Sequence, residues 1–119
     1  MPTLTDPEQL QCYLNALANW QFEGFITFTD VARRWVRKEL ANYTTREIAR
    51  LMHAYAVGPP PGVIDRQKET RPEWAEHEFH YDLRFPIDGR SIYIETRLFY
   101  RRPDDPDDPT IWVVNIHDA

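Results

Sequence analysis

A chain of 119 residues can bury one hydrophobic core but not two. Its 42% hydrophobic content, with six Phe, six Tyr and four Trp, excludes a disordered chain, which lacks the aromatic surface needed to offset conformational entropy. The net charge of −5 argues against a polyanionic partner, yet six cations against two carboxylates give residues 33–50 a charge of +4 and leave −9 on the rest.

The opening MPTLTDPEQ has neither the basic nor the apolar region of an export signal, and no apolar run approaches the roughly 20 residues of a membrane span. Cys12 is alone and cannot form an internal disulfide, so a cytoplasmic protein with no membrane partner is expected. Thr5, Asp6, Pro7 and Glu8 have the form of a capping box, and Leu10, Tyr13, Leu14, Leu17 and Trp20 follow at helical spacing up to Gly24. Phe25 to Phe28 fits either a short extended segment or a packed turn. Thr29 caps a second helix reaching about Asn42, with Val31, Ala32, Trp35 and Val36 inward and Arg33, Arg34, Arg37 and Lys38 largely outward.

Thr44 to Glu47 is a second capping box. It opens a third helix whose Ile48, Leu51, Met52, Tyr55 and Ala56 lie on one face, and Gly58 with three prolines ends it. Val63 to Asp65 is read as a short edge strand, and Arg66 to Trp74 as an irregular polar loop. From Phe79 to Phe85 apolar and polar residues alternate with the period of a half-buried strand, and Asp88-Gly89 is a hairpin signal, because a type I′ turn needs positive φ at both central residues.

Taking Asp88 and Gly89 as the turn pairs Phe85 with Ile92 and Leu83 with Ile94 on one side. On the other side it pairs Arg84 with Tyr93, Asp82 with Glu95 and His80 with Arg97. A slip of one residue would mix the two sides, so the agreement fixes the register. Arg101 to Pro109 is a proline-barred surface loop, and Thr110 to His117 is a third long strand, apolar on both faces and therefore internal. This strand is expected to place Trp112, Val114 and Ile116 on one face, and Ile111, Val113, Asn115 and His117 on the other. The expected architecture is one α+β domain over residues 1–119. Three N-terminal helices (residues 1–58) pack on a three- to four-stranded antiparallel meander (residues 63–119).

The polar face gathers His80, Asp82, Arg84, Tyr93, Glu95 and Arg97, joined by His117 if the third strand pairs beside the second. This set contains what metal-independent RNA cleavage requires: a base for the 2′-hydroxyl, an acid for the leaving 5′-oxygen and cations for the phosphorane. His80 or Glu95 would be the base, His117 the acid, Arg84 and Arg97 the phosphate-binding pair, and Tyr93 a stacking or proton-handling group. A solvated polar sheet face with ordinary charge balance would show the same residues. One cysteine excludes a thiolate zinc site, and the chain has no glycine-rich phosphate loop, so no metal or cofactor is expected.

The run from Trp74 to Asp82, the strand Ile92 to Thr96 and the ending Val113 to His117 resemble, in pattern, the small ribonuclease toxins of the RelE and MqsR kind. The resemblance implies an α+β domain that cleaves RNA without metal and pairs with an antitoxin. Those toxins are usually basic and lack so long a helical N-terminal part. A second class stays open: a non-enzymatic binding module. In one form the second and third helices act as a helix-turn-helix on DNA, with the hairpin as a wing. In another the chain is a small acidic inhibitor or immunity-type protein. Basic helices bordering the polar face would favour RNA; basic helices pointing away would favour DNA or no nucleic acid. A homodimer is the other partner left open.

Overall fold

The computed structural model describes residues 6–57, 64–68, 72, 79–100 and 109–119. The elements run α1 (Asp6–Ala18), β1 (Ile26–Phe28), α2 (Asp30–Glu39), α3 (Thr45–Val57), β2 (Ile64–Lys68), β3 (Phe79–Ile87), β4 (Arg90–Tyr100) and β5 (Pro109–Asp118). The first capping box, the triple-proline break and the proline-aspartate loop fall wholly or partly outside the described residues.

The fold is α+β, but the sheet differs from the expected meander. It has five strands in the order β1-β5-β4-β3-β2, and β1 pairs with β5 in parallel, which makes the sheet mixed. The helices therefore do not form a block of their own, because β1 leaves the helical half and joins the far edge of the sheet. Three residues of Ile-Thr-Phe are too few to show an alternation, which is why this strand reads equally well as a packed turn. At the opposite edge β2 continues to Lys68, so Arg66 to Lys68 form a strand where a loop was expected; β3 holds them by ladder bonds.

The hairpin follows the expected register from Ile87↔Arg90 to Tyr81↔Thr96. Asp88 (φ 52°) and Gly89 (φ 78°) have the positive φ of the turn. His80 lies one step beyond the end of that ladder, so its pairing with Arg97 is not part of it. The third long strand is internal, between β1 and β4.

One deviation re-sorts its faces. Between Glu95 and Thr96 the partner on β5 jumps from Asn115 to Val113, so Val114 is bulged. Because a bulge inserts one residue, the alternation changes phase there. Trp112 pairs with Arg97, Asn115 with Glu95 and His117 with Tyr93, while Ile111, Val113 and Ile116 pair with Leu98, Thr96 and Ile94. The expected grouping of Trp112 with Ile116, and of Val113 with His117, is thereby corrected.

The helices cover the apolar face. Tyr13 and Leu17 of α1, Ala32 and Val36 of α2, and Ile48, Ala49 and Met52 of α3 are buried with Leu83, Phe85, Ile92, Ile94, Ile111, Val113 and Ile116. Ring pairs Tyr13–Tyr81 at 4.5 Å and Tyr55–Phe85 at 4.7 Å join helix to sheet. Thr96 is the polar residue within this face; the Tyr13 hydroxyl meets its Oγ1 at 2.7 Å, and that Oγ1 donates to the Tyr81 carbonyl, so it is not left unpaired.

Both inner helix starts are capped as their sequences demand. Thr29 Oγ1 accepts from the Ala32 amide and donates to the carbonyl of the bulged Val114, and Thr44 and Glu47 exchange side-chain to amide bonds. α2 stops at Glu39 with Leu40 as its cap, short of Asn42. Arg90 then ties three elements: its guanidinium donates to both carboxylate oxygens of Asp118 (2.9 and 2.7 Å) and to the carbonyl and carboxylate of Glu39 (3.0 and 3.1 Å).

Two outcomes follow for stability. A Cβ at Gly89 would meet no atom within 4 Å, so Gly89→Ala should cost only backbone strain, roughly 1 kcal/mol in urea denaturation. Arg90 holds the Asp118 carboxyl below its ordinary range. A carboxylate with a depressed folded pKa stabilises above its unfolded pKa and loses that contribution as pH falls through the folded value. The thermal-midpoint gap between wild type and Asp118→Asn should therefore be open at neutral pH, close below about pH 4, and narrow in about 1 M salt.

Candidate functional site

The face of β3, β4 and β5 turned away from the helices carries its polar side chains in rows. Cross-strand pairing aligns Arg84, Tyr93 and His117 in one row and Asp82, Glu95 and Asn115 in the next, followed by Arg97 and Trp112. Residues paired across strands stand about 4.5–5.5 Å apart at Cβ, so each row is a line of touching side chains.

Asp82 is the centre of the set. Its side chain is only 5% exposed, with His80 Nδ1 2.9 Å from Oδ1 and the Tyr93 hydroxyl donating to Oδ2. A carboxylate accepts only, so it fixes His80 with the proton on Nδ1 and leaves Nε2 for proton transfer. Burial, and then the bond to Asp82, push the Tyr93 phenol well above its ordinary range. Tyr93 therefore stays protonated and works as a donor and a ring, not as a base.

Tyr93 is also sandwiched. The His117 ring stacks on it at 4.9 Å with 21° between planes, and the Arg84 guanidinium lies 5.1 Å from its centroid. Stacked guanidinium and aromatic groups are mutually attractive at this separation, which holds Arg84 and His117 in place while both remain exposed. His117 Nδ1 is 2.7 Å from the Asp118 carbonyl, which again leaves Nε2 as the nitrogen for proton transfer.

Glu95 and Arg97 behave differently. Their side chains are 7% and 0% exposed and form an ion pair at 2.9 Å; Arg97 also donates to the Thr96 carbonyl. A phosphate cannot reach an arginine with no exposed surface, nor can a 2′-hydroxyl reach Glu95. Of the expected set, the structure brings His80, Arg84, Tyr93 and His117 to an accessible cluster and buries Glu95 and Arg97 in the neighbouring rows. Sequence reasoning gave Asp82 no role, although its place opposite Glu95 and two residues from His80 was readable. It also put Trp112 on the wrong face, for want of any signal for the bulge.

The exposed cations Arg33, Arg34, Arg37, Lys38, Arg46 and Arg50 lie on the outer sides of α2 and α3, across the sheet from this cluster. The hairpin tip is not a free wing, because the Tyr43 hydroxyl donates to Asp88 (2.8 Å) and holds the tip against the α2–α3 connection. Among the described residues no helix is long and apolar enough to cross a membrane. Comparison with protein-family models, curated proteins and solved structures finds no match for this chain.

A buried ion pair tolerates loss of both partners better than loss of one. Arg97→Met should lower unfolding free energy by roughly 3–5 kcal/mol, because it strands the Glu95 carboxylate. The double variant Glu95→Gln/Arg97→Met should recover much of that loss, as read by urea midpoints.

Proposed function

We propose that the polar sheet face is a metal-independent endoribonuclease site, in the manner of the toxins the C-terminal strands resemble. The observation that carries this is the Asp82 carboxylate holding His80 and Tyr93 together while Tyr93 stacks against His117 and Arg84. His80 Nε2 takes the proton of a ribose 2′-hydroxyl, and the freed oxygen attacks the adjacent phosphorus. Arg84 faces the charge that grows on the phosphorane oxygens. His117 returns a proton to the departing 5′-oxygen, giving a 2′,3′-cyclic phosphate and a 5′-hydroxyl. Asp82 is a positioning residue, and the buried Glu95–Arg97 pair flanks the cluster. A toxin-type role implies a cytoplasmic setting and a protein partner that covers this face when cleavage is held in check.

A second reading has its own support. The basic surface of α2 and α3 points away from the sheet, which favours a non-enzymatic DNA-binding module. The two are separable by experiment. Single-stranded RNA incubated in EDTA should be cut, and His80→Ala or His117→Ala should each slow cutting roughly 10²–10⁴-fold, with the thermal midpoint nearly unchanged for His117→Ala and lowered for His80→Ala, which removes a partner of the buried Asp82. If RNA stays intact with or without magnesium while Arg34→Glu/Arg37→Glu abolishes salt-dependent binding of duplex DNA, the binding module is the correct reading.

A further inference from the structure

A second site lies on the helical side, independent of the sheet face. The turn after α1, strand β1 and residues at the starts of α2 and α3 line a pocket of about 350 Å³. That is the lower end of the range in which small ligands bind. Its two walls differ in chemistry. One is the turn that carries Trp20, Phe22 and Glu23, and the other is formed by Arg33 of α2 with Thr45 and Arg46 of α3.

The carboxylate that lines the pocket, Glu23, makes no ion pair with the cationic wall among the described residues. Arg90, Arg97, Arg84 and Arg34 are each engaged by a carboxylate, a carbonyl or a ring. Neither Arg33 nor Arg46 has a side-chain hydrogen bond or ion pair among the described residues, and both are exposed. Arg46 also sits in the first turn of a 13-residue helix, the end where the backbone dipole disfavours a cation. The capping box occupies the amides of Thr44 and Glu47 and leaves those of Thr45 and Arg46, in the same turn, without a helical acceptor. Two guanidiniums and the first-turn residues Thr45 and Arg46 thus line one pocket, and an anion is the ligand that suits them.

The other wall offers rings. Phe22 is 58% exposed, far more than a ring with a packing role requires, and Trp20 lies half-buried beside it. Base-stacking on such rings is sequence-tolerant and contributes usefully per base. Glu23, on the same wall, can only accept, which suits a base edge with adjacent N–H donors such as guanine.

We propose that this pocket binds a mononucleotide, with its phosphate on Arg33, Arg46 and the first turn of α3, and its base against Trp20 and Phe22. The test is titration of the full chain with GMP, guanosine and ribose 5-phosphate, followed by amide NMR. GMP should shift the Thr45 and Arg46 amides and bind at least about tenfold more tightly than either fragment, since each fragment occupies one wall only. Arg33→Ala/Arg46→Ala should weaken GMP at least about tenfold and lower its affinity toward that of guanosine. The thermal midpoint of the ligand-free double variant should stay level or rise, because a cation leaves a helix N-terminus. Phe22→Ala should bring GMP down to the level of ribose 5-phosphate. GMP binding no tighter than one of its fragments overturns the proposal, as does GMP binding that survives loss of both arginines, or no shift at Thr45 and Arg46.

Discussion

The bulge at Val114 sets which residues of β5 face the helices and which face away. Glu95 pairs with Asn115 but Thr96 with Val113, so Ile116 and Val113 both reach the core although three positions separate them. Without that inserted residue, keeping Ile116 in the core would turn Val113 and Ile111 away from the helices and Trp112 into them. The carbonyls on either side of the insertion are put to use. Val113 accepts from the Thr29 amide and Val114 from the Thr29 hydroxyl. Since Thr29 also caps α2, one irregularity in the last strand fixes where β1 ends and α2 begins.

That arrangement gives the two sheet faces different dielectric surroundings. The helix-covered face is apolar apart from Thr96, whose hydroxyl is satisfied by Tyr13 and Tyr81. The other face buries three ionisable groups, Asp82, Glu95 and Arg97. Burying a charge without a partner is costly, so these groups are bonded to neighbours: Asp82 to His80 and Tyr93, Glu95 to Arg97. The accessible groups are those one row further out. Arg84, Tyr93 and His117 therefore keep their positions by stacking on a fixed ring and not by pairing with one another's charges, which suits side chains that must meet a substrate.

Charge is divided across the molecule in the same way. The cations of α2 and α3 lie on the helical side, and among the described residues the sheet cluster adds Arg84 as an exposed permanent cation. A long polyanion lying on the sheet face would draw little on the helical cations, because they stand on the far side of the core. The Arg90 and Tyr43 bonds to α2 and the α2–α3 connection keep the hairpin tip at that boundary.

The hairpin register, the Thr29 cap of α2, the capping box of α3 and the convergence of His80, Arg84 and Tyr93 were legible in the sequence by itself. Each depends on short-range stereochemistry: positive φ at Asp88 and Gly89, side-chain oxygens at Thr29 and Thr44, and the period-two alternation of β3 and β4. His117 was legible conditionally, on the pairing of β5 with β4. The tertiary structure alone decided that Glu95 and Arg97 are sealed, that Asp82 is the hub, that Trp112 joins the polar face and that Ile26 to Phe28 is a parallel strand. The reason is common to all four. Burial and bulges are set by what packs across the sheet from distant parts of the chain, and a local pattern records which residues share a face, not whether that face meets water.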